Sequence, residues 1–250
     1  MKKTGKLTKD QLGFSEPQNA PLYQKPPFYY RGLECITVYY ETVEQEALAL
    51  LPEGLELATP PTVSIRFFRA PFTNLGAYDA ALVQLRCLWD GKPKGFVCYQ
   101  IVTTDAAMAA GREIWGYPKK LGHVEFGKEN ELFTAVVRRP REIRLCTATI
   151  RPEQPLSEEE IAALSAQGGP PVCLKVIPSA VEGEGPSLVQ LIESAGSIDI
   201  KEQWRGPGSF HFDDPSPVDP WYRLAVSRFI GSYYSIYDSV LALGSVLKTY

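Results

Sequence analysis

Histidine is scarce in this chain: His123 and His211 are the only two in 250 residues, and neither has a cysteine or carboxylate nearby at the spacing of a zinc ligand set, so no metal site is expected. No Gly-x-x-x-x-Gly-Lys-Ser/Thr, Gly-x-Gly-x-x-Gly or Gly-x-Ser-x-Gly segment occurs, which leaves phosphate loops, dinucleotide folds and the common serine-hydrolase elbow without support. Excess positive charge is missing as well. The 26 lysines and arginines face 29 aspartates and glutamates, a formal net charge of −3, whereas nucleic-acid binding usually needs a clustered positive surplus. No apolar run approaches the roughly 18 to 20 residues that span a bilayer. The positive start, Met1 to Asp10, is not followed by the apolar stretch of a secretory signal, so a cytoplasmic protein without a membrane or nucleic-acid partner is expected. The five cysteines, Cys35, Cys87, Cys98, Cys146 and Cys173, are odd in number and form no Cys-x-x-Cys pair, which fits buried thiols in a reducing compartment.

What is present is an ordinary globular composition, 44% hydrophobic and 22% charged. Residues 1–26 are polar and then proline-rich and predict an extended N-terminal arm, leaving 27–250 as a single domain. Strand patterns run at 34–40, 63–68, 80–89, 96–102, 132–138, 142–151 and 171–177, with others near 188–193 and 198–201. Asp90-Gly91 between two of these predicts an antiparallel hairpin. Short helices are expected after Thr42, with Gln45 completing a capping box, over the alanine-rich 104–113, and at 157–166 behind a Ser157 cap. The spacing of Tyr222, Val226, Phe229, Ile230, Tyr233 and Ile236 predicts an amphipathic helix after Pro220, followed by a strand or tail to Tyr250. Strands dominate and helices follow them irregularly, so the fold class is α+β, mainly an antiparallel sheet or barrel with a few peripheral helices.

The chemistry concentrates in Gly111-Arg112-Glu113-Ile114-Trp115-Gly116-Tyr117-Pro118-Lys119-Lys120-Leu121-Gly122. Two lysines behind Trp, Tyr and Pro can be an exposed basic turn, or a pair in which desolvation or mutual repulsion drives an amine toward its neutral, nucleophilic form. Such an amine attacks a carbonyl carbon to give a Schiff base.

This segment resembles the signature of the acetoacetate decarboxylase family, itself the standing example of a lysine activated in this way. The resemblance extends over Leu51–Glu56, Leu75–Tyr78, Cys146–Thr149, Leu174–Pro178 and Trp204–Pro207. It implies Lys119 as the Schiff-base nucleophile, Lys120 as a neighbour influencing its pKa, no cofactor, a small keto acid as substrate, and a homo-oligomer. It also implies that Arg31 engages a substrate carboxylate, a task suited to a planar guanidinium. Phe28, Tyr99, Trp115 and Tyr117 are candidate pocket walls, Tyr78, Gln100 and Tyr250 candidate polar groups, and Arg112 and Glu113 candidates for orienting the lysine loop. Two pocket glutamates of the family fall at Ile65 and Ala80, so both carboxylates are replaced here. Decarboxylation of a β-keto acid is the first expectation. Schiff-base aldol addition with dehydration, described for some relatives, and non-catalytic binding of a small molecule are the alternatives.

Overall fold

The protein is described by a computed structural model covering residues 2–250. Its strands are β1 (Phe28–Glu41), β2 (Glu56–Leu57), β3 (Thr62–Ala70), β4 (Phe72–Thr73), β5 (Tyr78–Trp89), β6 (Lys92–Val102), β7 (Lys119–Leu121), β8 (His123–Glu129), β9 (Leu132–Arg138), β10 (Arg144–Ile150), β11 (Gln154–Pro155), β12 (Pro171–Ile177), β13 (Leu188–Gly206), β14 (Gly208–Phe212) and β15 (Arg228–Thr249). The helices are α1 (Glu44–Leu48), α2 (Asp105–Ala110), which runs on into a π-helical turn at Gly111–Trp115, and α3 (Glu158–Gly168). No helix among the described residues is long and apolar enough to cross a membrane.

The large sheet follows the order β5-β3-β1-β15-β13-β12-β6, and β6 pairs back onto β5, so the strands close on themselves. A closed circuit has no free edge along its length, and alternate residues of each strand point into its lumen. Pairing round the circuit is antiparallel except between β12 and β6, and β7 is added to β6 in parallel. A second sheet, β14-β10-β9-β8, covers one outer side. The main core lies between them, joining Ile36, Val38, Ile65, Phe67 and Val83 of the barrel to Val124, Phe126, Phe133 and Ile150 of the small sheet. A second cluster, with Phe28, Tyr30, Leu33, Phe68, Tyr78, Trp115 and Tyr117, fills the inside of the barrel wall.

The expected α+β, barrel-like class is the observed one, and the Asp90-Gly91 turn and the Ser157 capping box are in place. The C-terminal helix is not. Residues 228–249 form the 22-residue strand β15, paired on both sides with β1 and β13. Here Tyr234 and Ile236 pack toward the main core while Tyr237, Ser239 and Leu241 face the lumen. Both faces of β15 mix apolar and polar residues, with Ser232 and Ser235 buried and Ser239 in the cavity wall, so the polar alternation that marks strands is lost and its aromatics coincide with helical spacing. The two short strands expected near 188 and 198 are one strand, β13, bent by three register shifts. Val43 rather than Thr42 precedes α1, and no capping box forms there.

Ile65 is fully buried in the layer between barrel and small sheet, so the glutamate position expected there points away from the lumen. Alternation turns its neighbour Arg66 inward instead. Ile65→Glu therefore places an unpaired carboxylate in the dry layer, at a cost of several kcal/mol on the order of 4 or more. Urea unfolding reads this directly. An unchanged midpoint would mean that position 65 reaches the lumen after all.

Candidate active site

Lys119 opens β7, beside Gln100 of β6, and its side chain is 5% exposed. The local sequence places it there in three steps. The π-helical turn ends at Gly116, whose φ of +80° and close approach to the Lys175 backbone exclude a side chain. Tyr117 then bonds back to the Gly111 carbonyl at 3.1 Å, and the Arg112 guanidinium donates to the Lys119 carbonyl at 3.2 Å. Gly111 leaves the room that the lysine stem occupies: a Cβ at 111 would lie 2.5 to 2.7 Å from Cδ, Cε and Nζ of Lys119.

The ammonium donates to the Ala107 carbonyl at 2.9 Å and sits 5.4 and 6.0 Å from the ring centres of Tyr117 and Tyr78. No carboxylate lies within 4 Å of it among the described residues. Burial consequently pushes its pKa down from 10.5 to about 8, against a smaller opposing influence of Cys173. Lys120 takes no part in that depression by proximity. Successive strand residues face opposite ways, and the Lys120 amine bonds the Val218 carbonyl at 2.5 Å and Asp219 Oδ1 at 2.9 Å, alongside Arg139.

The lysine lines a cavity of about 410 Å³ in the barrel lumen, with Tyr30, Arg66, Tyr78, Gln100 and Tyr117 among its walls and no aspartate or glutamate. The hydroxyls of Tyr30 and Tyr78 lie 3.2 Å apart, and burial raises the pKa of both, so both stay protonated at neutral pH. The Gln100 side-chain oxygen is buried and has no partner.

The residues expected from the sequence divide between three places. Lys119, Tyr78, Gln100 and Tyr117 meet at the cavity. Phe28 and Trp115 stand edge to face, 5.8 Å apart, behind the wall, and Arg112 and Glu113 brace the loop, Glu113 accepting from Tyr23 of the N-terminal arm. The others lie elsewhere. Tyr99 stacks on Trp221 on the opposite face of β6, and Tyr250 bonds the Glu53 carbonyl at 2.6 Å. Arg31 reaches Asp238 at 3.9 Å and the carbonyl of Tyr30, outside the cavity wall. Asp79 pairs with Arg69 at 3.6 Å on the outer face, and Ala80 is buried without polar function.

Sequence reading missed Tyr30, Arg66 and Tyr237. For Arg66 a signal existed, an arginine alternating with Ile65 and Phe67 in an otherwise apolar strand. Tyr237 was hidden by the helical reading of β15.

Fold and site together define a closed β-barrel whose lumen holds a buried amine able to lose its proton near neutral pH. The family model for acetoacetate decarboxylase matches residues 15–250. This chain belongs to the acetoacetate decarboxylase family. It is 28% identical to acetoacetate decarboxylase 2 of Mesorhizobium japonicum over 239 residues, covering 95% of this chain and 89% of the relative. It is likewise 28% identical over 242 residues to the acetoacetate decarboxylase of Acidiphilium cryptum, 96% of each chain. The crystal structure of acetoacetate decarboxylase from Legionella pneumophila superposes with a TM-score of 0.87 at 27% identity, covering 100% of this chain and 99% of that one. The enduracididine biosynthesis enzyme MppR in complex with pyruvate shares the fold, with a TM-score of 0.79 at 20% identity over 95% of this chain and 98% of that one.

Burying a protonated amine destabilises the fold. The drop from 10.5 to about 8 corresponds to roughly 3 kcal/mol, at about 1.4 kcal/mol per pKa unit. Between those two values the unfolded chain holds a proton that the folded chain has released, so stability climbs with pH through that window. Lys119→Met removes the penalty. The variant is expected to be more stable than the parent at pH 7, by up to about 3 kcal/mol, with the gap closing as pH approaches 10.5. Denaturant unfolding of both proteins at pH 7 and pH 10 checks this, and parallel curves would contradict it.

Proposed function

We propose that this protein is a lyase that turns over a keto acid through a Schiff base on Lys119, and that its reaction is decarboxylation of a 3-keto acid. The observation that carries the reading is the amine itself, buried in the cavity wall without a counter-ion and held near pKa 8 by burial. A usable fraction is then neutral at pH 7, while an exposed lysine is almost wholly protonated.

In this reading the neutral amine adds to the ketone carbon, and uptake of one proton with loss of water leaves a protonated imine adjacent to the carboxylate-bearing carbon. The bond to carbon dioxide breaks, and its electron pair moves toward the iminium nitrogen to form an enamine. A proton returns to carbon, and water releases the ketone and the free amine. Tyr78 and Tyr30, whose hydroxyls are paired and protonated at neutral pH in the wall of the same cavity, would relay the proton. The aromatic walls keep water away, which favours the neutral amine and disfavours the starting carboxylate.

One observation favours a second reading. The cavity wall has no carboxylate, and this changes the means of controlling protonation after carbon dioxide leaves. Schiff-base addition of a 2-keto acid to an aldehyde, followed by dehydration, uses the same lysine and releases no gas.

Borohydride reduction in the presence of acetoacetate, and separately pyruvate, with peptide mapping and gas detection, tests both. The expected result is a permanent adduct on Lys119, lost in Lys119→Ala, with carbon dioxide from acetoacetate. Adduct without gas from acetoacetate but with condensation of pyruvate selects the second reading. Adduct without any turnover leaves a binding protein, and no adduct on folded protein removes the lysine mechanism.

The trapping rate should rise with pH and level off above about 8, because the free amine is the reactant. Lys120→Met should leave that midpoint within about 0.3 pH unit, since desolvation and not a neighbouring cation sets it. A rise of one unit or more would restore Lys120 as the cause.

A further inference from the structure

The cavity contains a second cation that the lysine chemistry does not use. Arg66 of β3 is partly buried, and no carboxylate among the described residues lies within 4 Å of its guanidinium. Its neighbours are the hydroxyls of Tyr39 and Tyr237 and the thiol of Cys35. An arginine stays charged whatever its surroundings. The guanidinium is only partly withdrawn from water and its neighbours carry no formal charge, so nothing in the wall neutralises it and an anion entering the cavity would be stabilised there.

Register fixes where that anion would lie. Arg66 pairs with Leu82, Leu82 with Gln100, and Gln100 with Lys119, a single row across β3, β5, β6 and β7. All four line the same cavity. Three strand steps of about 4.8 Å put the two ends of the row roughly 14 Å apart along the curved wall. From there both side chains lean inward. A four-carbon keto acid, with three C–C bonds of about 1.5 Å, is under about 5 Å long. It occupies the Lys119 end and leaves most of the 410 Å³ empty.

Arg66 also lines a second cavity of about 250 Å³, so it stands at the junction of the two. That second space is edged by Thr37, Ser165, Ser235 and Gln203. The Gln203 side-chain oxygen is buried there without a partner, as Gln100's is in the first cavity. The hydroxyls can donate to carboxylate oxygens beside a guanidinium, whereas the two amide oxygens, as acceptors, would take a ligand's donor.

We propose that Arg66 holds a carboxylate of the substrate distant from the carbonyl, one that remains in the product, and that the site takes keto diacids in preference to short keto monoacids. The substrate class rests on the Lys119 reading above, whereas the anion site at Arg66 stands by itself. A carboxylate clamped by arginine is stabilised as an anion, so it is not the one that leaves as carbon dioxide. The departing group sits at the Lys119 end.

Two measurements at pH 7 separate these layers. Calorimetric titration uses diacids of four to seven carbons, none bearing a ketone, each against the monoacid of equal length. The best diacid is expected to bind at least tenfold tighter than its monoacid. Arg66→Gln should bring the ratio to about one, and Arg66→Lys should keep part of it. Borohydride trapping then compares 3-oxoadipate with 3-oxohexanoate, where the diacid should label Lys119 at least tenfold faster and lose that lead in Arg66→Gln. Equal affinity for diacids and monoacids, or a preference that survives in Arg66→Gln, overturns the anion site. Equal trapping of the two keto acids overturns the substrate class and leaves the imine intact. A diacid preference that depends on Arg66, with no keto acid trapped, upholds the anion site and removes the imine reading.

Discussion

Everything in this barrel is arranged around one amine kept from water without a counter-ion. Only a closed wall can do that: an open sheet would leave the β5 to β6 edge wet, and the lysine next to it would regain its ordinary pKa. The groups that touch the Lys119 amine are a main-chain carbonyl and two aromatic faces. None carries a formal charge, so none holds the proton as firmly as a carboxylate would. The amine is thus gripped in position while its proton is left loose, a combination that an ion pair could not supply.

Strands with two buried faces make this economical in sequence. Neighbouring residues of one strand serve different layers, as the pairs Lys119 and Lys120, Ile65 and Arg66, and Tyr99 and Gln100 show. In each pair one side chain enters the lumen and the other joins an outer layer, the main core or, for Lys120, a buried ion cluster around Asp219. That cluster ties β7 to the segment before Trp221, so the second lysine fixes the strand from outside while the first works inside. Adjacent placement in sequence has therefore produced separation in space.

The same two-sidedness decided what could be read from the sequence. Elements with strong local chemistry were legible: the Asp90-Gly91 hairpin, the capped α3, and the β-branched and aromatic runs between turns from Thr62 to Val102. The lysine loop was legible through its resemblance to the acetoacetate decarboxylase signature, since its residues alone read as readily as an exposed basic turn. β15 was not, since a strand with serines and aromatics mixed on both faces shows no clean alternation, and its lumen residues Tyr237 and Ser239 went with it. Arg66 fell to a slip of one residue. Alignment by spacing put the functional position at Ile65, and a one-residue error in a strand exchanges lumen for core. Arg31 has the right chemistry for a carboxylate, but in this fold it lies half-exposed outside the cavity wall, with Asp238 3.9 Å away.

The empty cavity has an unbalanced charge, and the imbalance bears on the order of events. Arg66 is a permanent cation, Lys119 an intermittent one, and the wall supplies no acid to offset either. In the absence of an anion, burial alone already disfavours the proton on the lysine, whereas the arginine stays charged. On the reading proposed above, a carboxylate is drawn to the arginine by an attraction that does not depend on pH. Its negative charge would then lie in the same low-dielectric space as Lys119 and favour a cation there. The protonated imine is such a cation. The anion that enters would therefore favour the free amine's product over the free amine itself, and the arginine would contribute to imine formation without touching the reacting carbon.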